Sequence, residues 1–90
     1  MSKLTVFVLK RCPYCIKAKR YIKELLEEEQ YKDIDIEYVD ERKEKERAKQ
    51  FDYYYVPSFY IGNHKLYEGA IQKEQVKEVF DEYLKRLNDD

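Results

Sequence analysis

The chain opens with a short apolar run and then changes to a helical spacing of apolar positions. Residues 4–9 read Leu-Thr-Val-Phe-Val-Leu, a nearly continuous apolar and partly β-branched run that is typical of a strand buried on both faces of a sheet. From residue 13 to about residue 29, Ala18, Ile22 and Leu25 recur at the spacing of one helical face. The pattern therefore predicts a buried strand followed by an amphipathic helix.

A second strand is predicted by alternation. Ile34, Ile36 and Tyr38 alternate with acidic residues, a period of two that is typical of a strand with one face more exposed than the other. Strand, helix and strand form a βαβ unit, and such units pair their strands in parallel with a right-handed crossover. We expect these two strands to lie side by side, with the helix on one face.

A charged stretch follows and predicts a second helix. Asp40 is a suitable N-cap for a helix that runs to about Phe51. Pairs such as Glu41 with Lys45 support it at the i,i+4 spacing. The stripe of apolar residues is thin. We interpret the mixed charges as a solvated face; the alternative is a docking patch.

The last third of the chain predicts a hairpin and a long helix. Residues 58–61 and 64–67 flank Gly62-Asn63, and Gly-Asn suits a two-residue hairpin turn. The apolar residues after the hairpin follow the spacing of one helical face: Val76, Val79, Phe80, Tyr83, Leu84 and Leu87. The whole pattern predicts an α/β fold with the order β-α-β-α-β-β-α.

Length and charge limit the class of protein. The 90 residues suit one domain, residues 1–90, since one core usually serves roughly 100–200 residues. Eighteen basic and nineteen acidic residues leave a net charge of −1, which gives no global field for nucleic acid or an anionic membrane. The longest apolar run is far shorter than the ~20 residues of a membrane helix, and no signal-peptide pattern flanks it. We expect a cytoplasmic monomer that binds neither nucleic acid nor membrane.

The two cysteines carry the candidate chemistry. Cys12 and Cys15 are so close that a disulfide between them would restrain little of the unfolded chain. Together with the single histidine, His64, they fall short of the four ligands of a structural zinc site. We therefore predict no metal site, an exposed turn position for His64, and redox chemistry at the cysteines.

The start of the first helix suggests a role for each thiol. If Pro13 takes the first helical position, Cys12 is the N-cap and Cys15 the third helical residue. A sulfur at the N-cap meets free N–H groups and the positive end of the helix dipole, which favours the thiolate. Lys10 and Arg11 add positive charge nearby. We predict Cys12 as the nucleophile and Cys15, one turn further along, as the resolving thiol.

These residues resemble the glutaredoxin family of the thioredoxin superfamily. The resemblance covers nearly the whole chain and rests on Cys-Pro-Tyr-Cys at residues 12–15, the later Val56-Pro57 before a hairpin, and Gly69. It implies the thioredoxin fold, with a four-stranded mixed sheet flanked by three helices. It also implies a thiol–disulfide oxidoreductase that reduces disulfide-containing proteins or glutathione mixed disulfides, with glutathione as co-substrate and no bound cofactor.

The resemblance further implies a binding site around the cysteines. Pro57 would be cis and face the cysteine pair, and Val56 would pair with an extended thiol substrate through its backbone. Tyr53 and Tyr54 are interpreted as ordinary edge packing. The candidate substrate- or glutathione-binding residues are Lys10, Arg11, Pro13, Tyr14, Tyr55, Val56, Pro57, Gly69 and Ala70.

The chain departs from the glutaredoxin pattern at two places. The family's lysine before the active site is commonly at the position of Leu9, whereas here Lys10 and Arg11 follow it. At the Gly-Gly-x-Asp corner that binds glutathione, Glu68 replaces the first glycine and Ile71 the aspartate. Glu68 would meet a carboxylate of glutathione as a like charge.

Two alternatives therefore stay open. One is a thioredoxin-like redoxin that is reduced by thioredoxin reductase, because residues 69–78 look more like the end of a thioredoxin. The other is an iron–sulfur or partner-binding module, which would need thiolates from elsewhere because clusters take four.

Overall fold

A four-stranded mixed sheet organises the chain, which a computed structural model describes over residues 3–88. The strands are β1 Leu4–Val8, β2 Ile36–Asp40, β3 Ser58–Ile61 and β4 His64–Glu68, and they lie in the order β2-β1-β3-β4. β1 is parallel to β2 and antiparallel to β3, which pairs antiparallel with β4. The predicted element order and the parallel pairing of the first two strands are confirmed.

Three helices complete this part of the chain: α1 Pro13–Leu26, α2 Lys45–Ala48 and α3 Lys73–Asn88. α1 and α3 contact each other and share the larger core with the sheet. A smaller cluster on β1, β2 and β3 packs against the segment around α2. Within residues 3–88, no helix is long and apolar enough to cross a membrane.

β1 is buried on both faces, as its apolar run predicts. All five residues are buried, and they alternate between the two cores because successive side chains of a strand point to opposite faces. Val6 and Val8 belong to the core with α1 and α3, whereas Phe7 belongs to the smaller cluster with Phe51 and Tyr53. The C-terminal end of β1 is therefore held firmly from both sides, and it leads directly to the cysteines.

α1 ends at Leu26, three residues before its predicted end. The N–H groups of Glu27 and Glu28 bond to carbonyls three residues earlier, so the last turn tightens and the helix stops. No apolar residue follows on the buried face until Tyr31, which turns back into the core with Ile34. Burial of these two side chains explains the early end.

β2 lies where the alternation predicts a strand, but it starts at Ile36. Ile34 is buried in the preceding turn, and Val39 is the fully buried residue of the strand. Tyr38 on the opposite face is exposed. Glu37, on the same face as Val39, is paired with Arg47 of α2. One face is thus more buried than the other, but it is the face of Glu37 and Val39, whereas Tyr38 of the alternating apolar set is exposed.

The long second helix is a wrong prediction, because only Lys45–Ala48 is helical. The carboxylate of Asp40 accepts the backbone N–H groups of Arg42 at 2.9 Å and Lys43 at 3.4 Å. It therefore closes a turn, which is the competing use of an aspartate side chain. Glu41 accepts a hydrogen bond from the Tyr53 hydroxyl at 2.7 Å, and residues 3–88 show no Glu41–Lys45 ion pair.

The hairpin and the last helix agree with the sequence pattern. Ile61 pairs with His64, so Gly62-Asn63 is a two-residue turn, with Gly62 at φ 57° in the left-handed region. A register shift between Phe59 and Tyr60 adds one residue to β4. The register shift and the end of β4 at Glu68 determine which side chains contact the loop before β3.

Candidate redox site

Cys12 is the N-cap of α1, as predicted. Its backbone is extended at φ −73° and ψ 121°, and Pro13 is the first helical residue. The N–H of Cys12 donates to the Leu9 carbonyl at 3.3 Å, and Arg11 between them has φ 73°. This tight turn from strand to helix puts the sulfur at the start of α1, where N–H groups lack partners within the helix. No side-chain hydrogen bond caps the helix.

Cys15 lies in a different environment although it is only one turn away. It is 1% exposed and packs in the core with Ala18 and Ile22, whereas Cys12 is half-buried. Both are free thiols. Burial raises the pKa of the Cys15 thiol to about 11, and the contact with Cys12 raises it further in the same direction. Cys15 is therefore a protonated thiol at neutral pH.

Two cations precede Cys12. Lys10 and Arg11 are both exposed, and neither forms a salt bridge with another of residues 3–88. They leave positive charge close in sequence to the cysteine, as expected. Leu9, at the position of the family's lysine, is half-buried beneath them.

The loop before β3 contains Val56 and Pro57. The Val56-Pro57 peptide bond is cis, as the resemblance implies. Pro57 is buried, and half-buried Val56 packs on the same core cluster as Cys12. Within the described chain, neither the N–H nor the C=O of Val56 has a hydrogen-bond partner. Both backbone groups are available to a bound chain.

Glu68, at the end of β4, holds this loop. Its Oε2 accepts the backbone N–H groups of Tyr54 and, at 2.9 Å, Tyr55, and its Oε1 accepts the ammonium of Lys65 at 2.6 Å. The Lys65 contact and then the two N–H groups lower the pKa of Glu68 to about 2. The carboxylate is thus ionised and its charge is compensated. Sequence reasoning identified Glu68 only as a like charge for glutathione; its contacts depend on the hairpin register, which the sequence does not specify.

The corner after β4 also contacts the loop. Gly69 has φ 99°, a conformation that favours glycine, and its N–H donates to the Pro57 carbonyl at 2.8 Å. A Cβ at Gly69 would lie 3.8 Å from that of Tyr55. Ala70 is exposed, and its carbonyl accepts the Tyr67 hydroxyl at 2.8 Å. Gly69 thus contacts the loop that contains Val56 and Pro57, and Ala70 is the next residue along the chain.

Ile71 turns away from the surface. It is 4% exposed and belongs to the core with α1 and α3. The residue at the position of the glutaredoxin aspartate therefore contributes packing and no polar group. α3 starts two residues later, and the N–H of Gln72 is capped by the side-chain oxygen of Gln75 at 2.8 Å.

Exposed aromatic rings lie between the two cysteines and just before Val56-Pro57. Tyr14 is 55% exposed and Tyr55 is 71% exposed. Tyr53 packs on Phe7 with ring centroids 5.1 Å apart, which confirms edge packing. Tyr54 does not follow that prediction, because it is 83% exposed. Its ring points outward next to the inward ring of Tyr53.

His64 is exposed at the first position of β4, directly after the hairpin turn. The predicted exposure of His64 is confirmed, but the residue belongs to the strand and not to the turn. This position gives the histidine no contact with the cysteine loop among the hydrogen bonds and ion pairs of residues 3–88.

Comparisons with known proteins agree with this architecture. A search of curated proteins finds no match. Among solved structures, one described as "Structure of a malarial protein" superposes with a TM-score of 0.69 and 16% identity, covering 93% of this chain and 98% of that chain; at this identity the likeness concerns the fold. The model of a family described as "Thioredoxin domain" matches residues 2–81. The chain therefore belongs to the family of thioredoxin domains.

Proposed function

We propose that this chain is a thiol–disulfide oxidoreductase of glutaredoxin type that works through Cys12 and Cys15. One observation carries the proposal: a half-buried cysteine caps α1 while a fully buried thiol lies one turn behind it. The free backbone of Val56 borders the same core cluster as the capping cysteine. These features would supply a nucleophile, a second thiol and a backbone segment for an extended substrate.

The proposed reaction is a two-electron exchange. The thiolate of Cys12 attacks one sulfur of a substrate disulfide, so that a mixed disulfide forms and the first substrate thiolate leaves and takes a proton from water. Cys15 then loses its proton and attacks the sulfur of Cys12. The second substrate thiol is released, and a Cys12–Cys15 disulfide remains. The substrate gains two electrons, and the enzyme loses two.

The environments of the two thiols support this order. The sulfur of Cys12 lies at a helix start, where free N–H groups and the helix dipole stabilise negative charge. Burial keeps Cys15 protonated at neutral pH, so it is a poor first nucleophile. Once Cys12 is in a mixed disulfide, Cys15 is the thiol one turn away that can attack it.

Substrate binding is proposed for the surface around Cys12. The N–H and C=O of Val56 would pair with the main chain beside the substrate disulfide, as in strand addition. Tyr14 and Tyr55 would flank that chain with Pro13 between the cysteines, and Lys10 and Arg11 would favour acidic neighbours such as the carboxylates of glutathione. Disulfide-containing proteins and glutathione mixed disulfides are the proposed substrates.

Thioredoxin reductase is the second candidate as electron donor. Two observations support this second candidate. Ile71 is buried where glutaredoxins have an aspartate, and Glu68 uses its carboxylate on Lys65 and the Tyr54–Tyr55 backbone. The corner therefore offers glutathione fewer polar partners than the family pattern does.

A coupled assay separates the two donors. NADPH oxidation is followed with a peptide disulfide and either glutathione with glutathione reductase or thioredoxin reductase alone. The glutaredoxin assignment predicts turnover in the first system; turnover only in the second would identify the thioredoxin-like alternative. Cys12→Ser is the control and is expected to be inactive in both. An inactive wild type in both systems would overturn the proposed function.

A further inference from the structure

The loop that precedes β3 is fixed by contacts from the end of β4. Glu68 accepts both successive N–H groups at residues 54 and 55, and the Gly69 N–H donates to the Pro57 carbonyl. From the other side, the Ser58 hydroxyl donates to the Tyr55 carbonyl at 2.5 Å. Each of these hydrogen bonds to the backbone of residues 54–57 thus comes from Ser58, Glu68 or Gly69. Val56 is left in the middle with both of its backbone groups free.

A carboxylate suits this position better than any neutral side chain. One oxygen of Glu68 accepts two N–H groups, and the other accepts the ammonium of Lys65. A glutamine has one acceptor oxygen, and its amide N–H₂ would face the Lys65 cation. The Glu68 side chain is 17% exposed, and its three contacts lie at the surface of the protein. Charge and geometry together restrain the backbone of residues 54–56.

We propose that Glu68 is a positioning residue for substrate binding: its carboxylate orients residues 54–56 so that Val56 presents its N–H and C=O to the main chain beside the substrate disulfide. The inference rests on the proposed oxidoreductase function. Glu68 itself contacts neither the substrate nor the thiols. Its contribution is to keep Val56 in one orientation. Without Glu68, the loop would have to be ordered each time a substrate binds, at the expense of affinity.

The test compares two disulfides in steady-state kinetics. A short peptide disulfide has amides beside its sulfurs, whereas bis(2-hydroxyethyl) disulfide has none and cannot use Val56. Glu68→Ala is expected to raise KM for the peptide about tenfold, with kcat little changed. For the small disulfide, kcat/KM is expected to stay within about twofold. Glu78→Ala, which removes an exposed glutamate of α3, is the matched control.

A second probe addresses the hydrogen bond directly. N-methylation of the peptide amide beside the cysteine removes the donor that the Val56 carbonyl would accept. In the wild type this change is expected to raise KM about tenfold. In Glu68→Ala it is expected to add less than about twofold, since the two changes disturb one interaction. Glu68→Gln keeps one acceptor oxygen. The rise in KM on N-methylation should therefore lie between that of the wild type and that of Glu68→Ala.

The outcomes distinguish this inference from the proposed function. If the wild type reduces neither disulfide, the oxidoreductase proposal itself fails. If the wild type is active but Glu68→Ala slows both disulfides equally, or the effect of N-methylation is unchanged in the variant, Glu68 has only a structural role. Should Glu68→Ala fail to fold, as judged by circular dichroism, Glu68→Gln with the two peptides decides the question in the same way.

Discussion

At the scale of single residues, two identical side chains lie in different environments because of where the first turn of α1 puts them. Cys12 stands outside the helix at its N-cap, and Cys15 faces the core with 1% exposure. Removal from water penalises a thiolate, because the interior cannot solvate its charge. The chemistry of the pair therefore depends on burial as much as on the motif.

The titration of Cys15 tests this difference. Burial raises its pKa from 9.0 to about 11, so the Cβ chemical shift of Cys15, followed by NMR in the reduced protein, should change with a midpoint near pH 11. The folded state holds this proton more tightly than the unfolded chain. The protonated Cys15 thiol therefore stabilises the folded state fully below pH 9.0, and this stabilisation declines as pH rises towards 11. A midpoint at or below pH 9 would contradict the burial of Cys15.

Prediction from sequence succeeded at Cys12 and failed at Glu68 for a physical reason. Pro13 has no N–H and therefore starts a helix, which fixes its neighbours by purely local rules. Glu68 contacts residues thirteen and fourteen positions away. Those contacts need the hairpin register and the turn at Gly69, and no local pattern specifies either.

At the scale of elements, one ion pair joins α2 to β2. The guanidinium of Arg47 contacts both oxygens of Glu37, with Nη1–Oε2 at 2.9 Å and Nη2–Oε1 at 2.6 Å. Arg47 lowers the pKa of Glu37 chiefly through these hydrogen bonds. α2 has only four residues and none is fully buried; besides this ion pair, Ala48 packs against the smaller cluster.

Replacement of Arg47 measures how much the Arg47–Glu37 ion pair contributes to the free energy of unfolding. Arg47→Ala should lower the free energy of unfolding by about 0.5–1 kcal/mol in urea titrations at neutral pH, because a bidentate ion pair stabilises the fold more than a single exposed contact does. Lys49→Ala is the control, since its 3.8 Å contact with Glu46 is almost fully exposed; we expect no measurable change. Equal losses in the two variants would show that the paired geometry contributes nothing.

The same pair gives the pH dependence of that loss. Glu37 has a lowered pKa in the folded state, so its contribution is present above pH 4.5 and is lost as pH falls through the folded pKa. The difference between wild type and Arg47→Ala should therefore disappear in acid. A difference that persists at pH 2 would have another origin.

Elements with an apolar stripe were predictable, and those defined by charge alone were not. β1, the hairpin and α3 follow their patterns because burial of the apolar positions selects one structure. Residues 41–44 have the charge spacing of a helix but no apolar face to bury, and the Asp40 carboxylate forms a turn instead. Without tertiary packing, helical pairs stabilise too little to decide the structure.

At the scale of the molecule, Tyr31 connects the turn after α1 to α3. It is 1% exposed, its ring packs edge-on against Phe80 with centroids 5.3 Å apart, and its hydroxyl donates to Asp81 at 2.6 Å. Burial and this carboxylate raise the pKa of Tyr31 to about 12. The contact links the turn after α1 to α3 within the larger core.

Two substitutions separate the ring from the hydroxyl. Tyr31→Phe should lower the free energy of unfolding by about 1 kcal/mol, because the ring stays and one hydrogen bond is lost. Tyr31→Ala should cost about 3–5 kcal/mol, as for other buried aromatic residues. Urea unfolding measures both. A smaller loss for Tyr31→Ala than for Tyr31→Phe would contradict the burial of the ring.

The fold as a whole could be predicted from the sequence, because its order of elements is simple and the crossover between its two parallel strands has one favoured hand. The path of the chain between elements was less accessible. The early end of α1 depends on Tyr31 and Ile34 folding back into the core, a tertiary effect that periodicity within the helix cannot reveal.

The most direct test of the account is to trap the first covalent intermediate. Cys15→Ser lacks the resolving thiol, so after incubation with a peptide disulfide it should carry one peptide, located at Cys12 by mass spectrometry. Cys12→Ser, in which the remaining thiol is buried, should carry none under the same native conditions. No adduct on Cys15→Ser, or an equal adduct at Cys15 in Cys12→Ser, would contradict the assignment of Cys12 as the nucleophile.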